Sequence, residues 1–429
     1  MLVLSTFLSL LILTVSSKLV LVFEYSRHGA RSPENYHNPQ IFPEGQKKIT
    51  AEGLYQHYLI GSEMRQRYIK FQAFLPETIS PNSLAIKVYA SALVRTFSSA
   101  ASQLLGLYPD NSGPELSTDD LERILPPFNL SFETQKKFNL TMKTKDEILD
   151  NQDKFAFQTN KTPATLHGVG IMMINQIHAR EDLFFQGYEK VFCPRIAKII
   201  SKLEENWENK RILAEWRKNL FPMLAEIVLK DWNFTLNPAN MTFENVKDIY
   251  DLWASLAFHQ RGYELHFPNE TALDELKHAY LYVMYYMYDL EPLALKASIS
   301  QLVEDIVMKI SMKIQNSTIP EFQDLKFVFY SGRDRQINAL LRSLMELKDI
   351  RNLKDKGVVF FASVFLIEVH EEEGRWLVKV WFNDEELKMK CGEVPGVCEL
   401  GRFFEVLKEA VSDNIYRDCG TESYRFTLE

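Results

Sequence analysis

Three short apolar-rich runs, at 19–25, 84–90 and 325–330, constrain this chain more than any other feature. Each stops where small or polar residues begin, and none shows the regular polar alternation of a strand with one wet face. Such runs predict strands covered on both faces. A helical pattern follows each. Thr50 is placed to cap a helix over 51–71, with Glu52 near the positive end of its dipole. After the second run, Phe97, Ala100, Leu104 and Leu105 recur near helical spacing through 95–107. After the third, Ile337, Leu340, Leu341 and Leu344 do the same. Strand, loop and helix repeated in this order predict an α/β fold with a parallel or mixed sheet.

The pattern changes elsewhere. Runs at 358–369 and 375–382 flank Glu371-Glu-Glu-Gly374 and read as a β-hairpin turning at Gly374. Between about 111 and 299 helical runs dominate, as at 196–207 and 212–229, so this span reads as a mainly helical cap inserted into the α/β core. The core is then 18–110 with 300–429. A chain of 429 residues exceeds what one hydrophobic core normally holds, which agrees with a division.

Residues 1–17 are apolar at first and end in small residues, which reads as a signal peptide, although no basic residue opens it. No later stretch approaches the roughly 20 apolar residues of a spanning helix, so no stable membrane insertion is expected after cleavage. Seven N-x-S/T sequons, at Asn129, Asn139, Asn160, Asn233, Asn240, Asn269 and Asn316, fit glycosylation in a secretory lumen. Four cysteines, an even number, fit disulfides in the same compartment. They allow three pairings, and sequence alone does not choose among them. The short loop from Cys391 to Cys398 suits a local bridge, which would leave Cys193 with Cys419.

In open α/β sheets ligands bind beyond the carboxyl ends of the strands. The first run ends in Ser26-Arg27-His28-Gly29-Ala30-Arg31-Ser32-Pro33, the second in Ser91 to Thr96 with Arg95, and the third in Ser331-Gly332-Arg333-Asp334-Arg335. Cationic side chains gathered on one rim repel unless an anion joins them, and arginine offers a planar fork that matches phosphate oxygens. A structural cluster of ion pairs should bring carboxylates in comparable number, yet only Asp334 and Glu24 are evident. The net charge of -8 excludes general nucleic-acid binding, so the cluster must be local. His28 among these cations should stay neutral and nucleophilic in mild acid, and Asp334 can supply a proton to a departing alkoxide. Gly29 and Gly332 are expected to let backbone approach the substrate. The chemistry is phosphoryl transfer through a phosphohistidine. His57 and His370 read as packing or solvent residues. His37, His167, His178, His259, His266 and His278 show no metal-ligand spacing, though His178 precedes a segment able to lean over the pocket.

The heptapeptide Arg27-His28-Gly29-Ala30-Arg31-Ser32-Pro33 resembles the RHGxRxP signature of the histidine acid phosphatases, the branch with the lysosomal and prostatic enzymes. The resemblance extends through 49–61, the segment 91–109 with Arg95, Phe192-Cys193-Pro194-Arg195 and Tyr330-Ser-Gly-Arg-Asp334, covering nearly all of the mature chain. It implies a mixed, mostly parallel sheet flanked by helices, of phosphoglycerate-mutase-like kind, with a helical cap and no cofactor or metal. It implies that His28 is phosphorylated, that Arg27, Arg31 and Arg95 hold the phosphoryl oxygens, and that Asp334 donates the proton. It also implies a bridge from Cys193 to Cys419. The family often forms dimers, but no residue here argues for a homodimer. Arg333 stands where the family has a second active-site histidine. A fixed cation there keeps the pocket's charge and leaves Arg333 a phosphate ligand. The competing reading is a non-catalytic phosphate-binding protein. The cap shows no dense Lys or Arg run, which favours small phosphate monoesters over inositol or lipid phosphates as substrates. A secreted or lysosomal location follows from the leader.

Overall fold

The three apolar runs form neighbouring strands of one eight-stranded sheet in the computed structural model. The structure describes residues 17–36, 38–110, 112–115, 170–177, 182–189, 191–203, 205–354, 357–392 and 396–421. The sequons at Asn129, Asn139 and Asn160, the histidines His37, His167 and His178 and residues 1–16 of the expected signal peptide therefore lie outside the described residues.

Strands β1 (Lys18–Arg27), β2 (Ile86–Ala90), β3 (Ile174–Gln176) and β4 (Phe327–Gly332) run parallel in the order β3-β2-β4-β1. Beyond β1 the sheet turns antiparallel through β5 (Val364–Glu372) and β6 (Arg375–Phe382), which also carries the short strands β7 (Glu385–Glu386) and β8 (Val397–Glu399). The expected hairpin forms with a two-residue turn, Glu373 and Gly374 both having positive φ, as a type I′ turn requires. Its first strand starts at Val364 rather than 358. Residues 358–363 form a loop, because the chain must leave the sheet there to reach the strand ends.

Side-chain alternation explains why the central strands are apolar on both faces. Val22, Val88, Phe327, Phe329 and Leu366 face one core cluster together with helices α1 (Ala51–Met64) and α2 (Val94–Leu107). Leu21, Phe23, Tyr25, Val328, Tyr330 and Ile367 face the other and larger cluster. Thr50 caps α1 by accepting from the Gly53 amide, and the winding continues past Met64 as a π-helical stretch, Arg65–Phe71.

The larger cluster is completed by helices from the span expected as a cap. These are α3 (Leu183–Gln186), α4 (Pro194–Leu203), α5 (Trp207–Lys218), α6 (Leu220–Trp232), α7 (Phe243–His259), α8 (Glu270–Leu290) and α9 (Pro292–Ile314). Two expectations change here. The run 212–229 is two helices broken at Asn219, and the span also contributes β3 to the sheet edge. After α9 come α10 (Pro320–Gln323), α11 (Asp334–Leu344), α12 (Leu347–Arg351), α13 (Leu400–Glu409) and α14 (Ile415–Cys419). Disulfides join Cys193 to Cys419 and Cys391 to Cys398. Among the described residues no helix is long and apolar enough to cross a membrane.

Candidate active site

Strand register places the expected residues. Arg27 at the end of β1 lies opposite Gly332 at the end of β4, and Ala90 of β2 lies opposite Ser331. The His28 amide then donates to the Gly332 carbonyl at 3.0 Å. Three loops thus leave the sheet from one level, and a cavity of about 650 Å³ opens above them. Arg27, His28, Arg31, Arg95, Arg333 and Asp334 all line it.

His28 is 2% exposed. Its Nδ1 lies 2.9 Å from the Gly29 carbonyl, which can only accept, so Nδ1 carries the hydrogen and Nε2 keeps a lone pair. Burial holds its pKa well below the usual range, and the charges of Arg95, Arg27 and Arg31 push it further down. The imidazole is therefore neutral in acid. Phe361 stands beside it, ring centroids 6.1 Å apart, and the guanidiniums of Arg27 and Arg31 lie 4.5 and 5.7 Å from the same ring. Sequence reading missed Phe361, which sits in the loop taken for strand.

The arginines have unequal surroundings. Arg27 donates to the Val359 carbonyl at 2.7 Å and pairs with Asp334 at 3.3 Å. Arg31 is held by both oxygens of Asp251, at 2.9 and 3.1 Å. Arg333 donates to Glu189 and to the Phe185 carbonyl, both at 3.3 Å, and lies over the Tyr188 ring. Arg95 forms no ion pair among the described residues. Burial lowers its pKa, and Arg31 and Arg333 lower it further, to about 10. Burial pushes the Asp334 carboxyl up, but Arg27, Arg335, Arg31 and Arg333 outweigh this and hold it below its usual range. Asp334 is also the first residue of α11, where the helix dipole favours a negative charge.

Two expectations need correction. Carboxylates are not scarce: Glu34, Glu189, Glu244, Asp248 and Asp251 join Asp334 in the cavity wall. Glu34 directly follows the Arg27–Pro33 segment, while Glu189 and the three carboxylates of α7 come from segments that no motif marks. Glu24 faces the other way, bonded to Gln103 of α2 at 2.6 Å. Nor do the glycines make room for substrate. A side chain on Gly29 would strike the backbone of Gly53 in α1, and one on Gly332 would strike the Tyr25 ring, so both permit packing instead. His57 is buried between Gln103 and the Arg27 carbonyl, and His370 is buried against Glu368. Among the described residues no cluster of three metal-binding side chains occurs.

The mixed sheet, its flanking helices and a histidine-centred pocket at the parallel strand ends define an α/β protein built around an anion site. The chain belongs to the histidine phosphatase superfamily (branch 2), whose sequence model matches residues 36–383. It is 23% identical over 418 residues to lysosomal acid phosphatase of Xenopus laevis, covering 94% of this chain and 79% of that one. To prostatic acid phosphatase of Bos taurus it is 22% identical over 417 residues, covering 94% and 87%. Its fold matches the apo phytase of Hafnia alvei with a TM-score of 0.57 at 15% identity, covering 94% of this chain and 98% of the phytase. No match supports a non-catalytic phosphate binder.

Proposed function

We propose that this chain is an acid phosphatase that hydrolyses small phosphate monoesters in two steps through His28. The observation that carries the reading is a neutral, buried imidazole beside Arg95, with no partner for Nε2 and no carboxylate paired with Arg95 among the described residues. A phosphoryl group supplies the missing anion. Arg95, Arg27 and Arg31 hold its oxygens, while Arg333, engaged with Glu189, adds positive charge from the cavity wall.

In the first step Nε2 attacks phosphorus, an N–P bond forms and the bond to the leaving oxygen breaks. Protonated Asp334 passes its proton to that oxygen. Water then attacks phosphorus, the Asp334 carboxylate takes the water's proton, the N–P bond breaks and orthophosphate leaves. Substrate binding prepares this acid, because the phosphate's negative charge offsets the arginines that hold Asp334 ionised.

The lysosomal relatives, the two disulfides and the exposure of Asn233, Asn240, Asn269 and Asn316 support a glycosylated protein of the lysosome or the secreted space. The test of the chemistry is hydrolysis of p-nitrophenyl phosphate by the natural protein beside His28→Ala. The variant should be slower by roughly a thousandfold or more. An alkaline quench should trap labelled phosphohistidine only in the natural protein. Equal rates in the two proteins would end the reading.

A further inference from the structure

We infer that the cavity selects phosphate monoesters whose leaving group carries an ammonium, phosphorylated amino alcohols being the simplest case. The inference rests on the reading above for the phosphoryl end and adds an assignment for the other end. Its basis is which charges in the cavity are already paired. Seven cationic side chains line it against six carboxylates. Asp334 is paired with Arg27, Asp251 with Arg31, Glu189 with Arg333, Glu34 with Lys47 and Glu244 with Lys247. Three lining charges stand outside these five pairs: Arg95 at the His28 end, Arg335 over the Tyr188 ring and Asp248 on α7.

Asp248 accepts from the Asn35 side-chain amide at 2.9 Å through Oδ1, and among the described residues no donor meets its other oxygen. Asn35 follows the phosphate-site arginine Arg31 by four residues, so the loop that holds the phosphoryl end also orients this carboxylate. On α7, Asp248 lies one helical turn from Asp251, the residue that grips Arg31, so the two share a face roughly 5–6 Å apart. The cavity is a ligand site on independent grounds, since the nearly inaccessible His28 points a lone pair without a protein partner into it.

Charge balance favours the same occupant. The lining carries one net positive charge with all groups ionised. A phosphate dianion turns that into one net negative charge, and an ammonium on the same molecule neutralises it. One phosphate dianion already offsets Arg95 and Arg335, so a polyphosphate would add further anions beside Asp248. A methyl in place of the ammonium would leave Asp248 desolvated without a partner.

The test compares O-phosphorylethanolamine with n-propyl phosphate, which has a methyl where the first has an ammonium. For the natural protein at pH 6, kcat/KM should favour the amine ester by about tenfold. In Asp248→Asn that ratio should fall to within about twofold of unity. Inositol hexakisphosphate should be the poorest substrate of the three. A natural-protein ratio at or below one overturns the inference while leaving the His28 chemistry standing, and this holds even where the variant fails to fold. A preference that survives in folded Asp248→Asn also overturns it. Failure of the natural protein to hydrolyse either ester or p-nitrophenyl phosphate removes the phosphatase reading instead, and the inference with it.

Discussion

Asp334 has two requirements that conflict at a single carboxyl. In the proposed mechanism the arginines that hold the phosphoryl group also hold Asp334 ionised in the free protein. Since the proposed first step needs its proton, the free and substrate-bound forms should titrate differently. kcat/KM reports the free protein and kcat the complex. With phosphate bound, the field of Arg27 and Arg31 is offset and the Asp334 pKa rises. The alkaline fall of kcat should therefore lie at higher pH than that of kcat/KM, measured with p-nitrophenyl phosphate. Coincident limbs would mean that bound substrate does not reset the acid. That His28, Arg27, Arg31, Arg95 and Asp334 meet at one cavity was legible because each follows an apolar run that had to end at one sheet edge. Their partners were not. Asp251 and Glu189 sit in segments that show an ordinary helix or loop pattern, Phe361 in a run that reads as strand, and only the folded chain brings them to the site.

At the scale of elements, α1 is pressed directly onto the loop that carries His28. Gly53 in its first turn meets the backbone of Ala30, and Gly29 meets Gly53 in return. Replacing an exposed helical glycine with alanine normally stabilises by about 1 kcal/mol. Here the added methyl meets backbone that cannot swing aside, and the sign reverses. Gly53→Ala should destabilise by about 1–3 kcal/mol and lower kcat, because α1 or the His28 loop must shift. Thermal unfolding and steady-state rates check both parts, and a more stable variant with an unchanged rate would show that the contact yields easily. The strands, the capped helix α1 and the hairpin were readable from local chemistry. The break at Asn219 and the strand β3 were not. A three-residue edge strand has too little sequence to show a period, and the apolar spacing runs on across the break.

For the molecule as a whole, a buried pair sets opposing responses to acidity. Burial raises the Glu24 carboxyl to about 7 and lowers His57 to about 4, with Gln103 bonded to both. A folded Glu24 holds its proton between pH 4.5 and 7 while the unfolded chain releases it, so its stabilising contribution is lost as pH rises, by about 3 kcal/mol. His57 does the reverse between 6.5 and 4, losing a similar amount as pH falls. The slopes cancel over the acidic range. Glu24→Gln removes one of them, so the unfolding temperature of the variant minus that of the natural protein should climb from pH 4.5 to 7. A flat difference would show that Glu24 titrates normally. The run of helices between the strands was legible from the change of period along the chain, whereas this pair was hidden, because nothing local says that Glu24 turns inward toward α2.

The bond from Cys193 to Cys419 reaches further than the two helices it joins. The Cys193 amide donates to the Glu189 carbonyl at 2.8 Å, so the same turn that carries the sulfur presents the carboxylate gripping Arg333. Chain made in a reducing cytosol would keep its sheet yet lose the tether on that turn, leaving Arg333 to wander into the substrate's space. The disulfide thus bears on the pocket's shape as well as on the protein's durability.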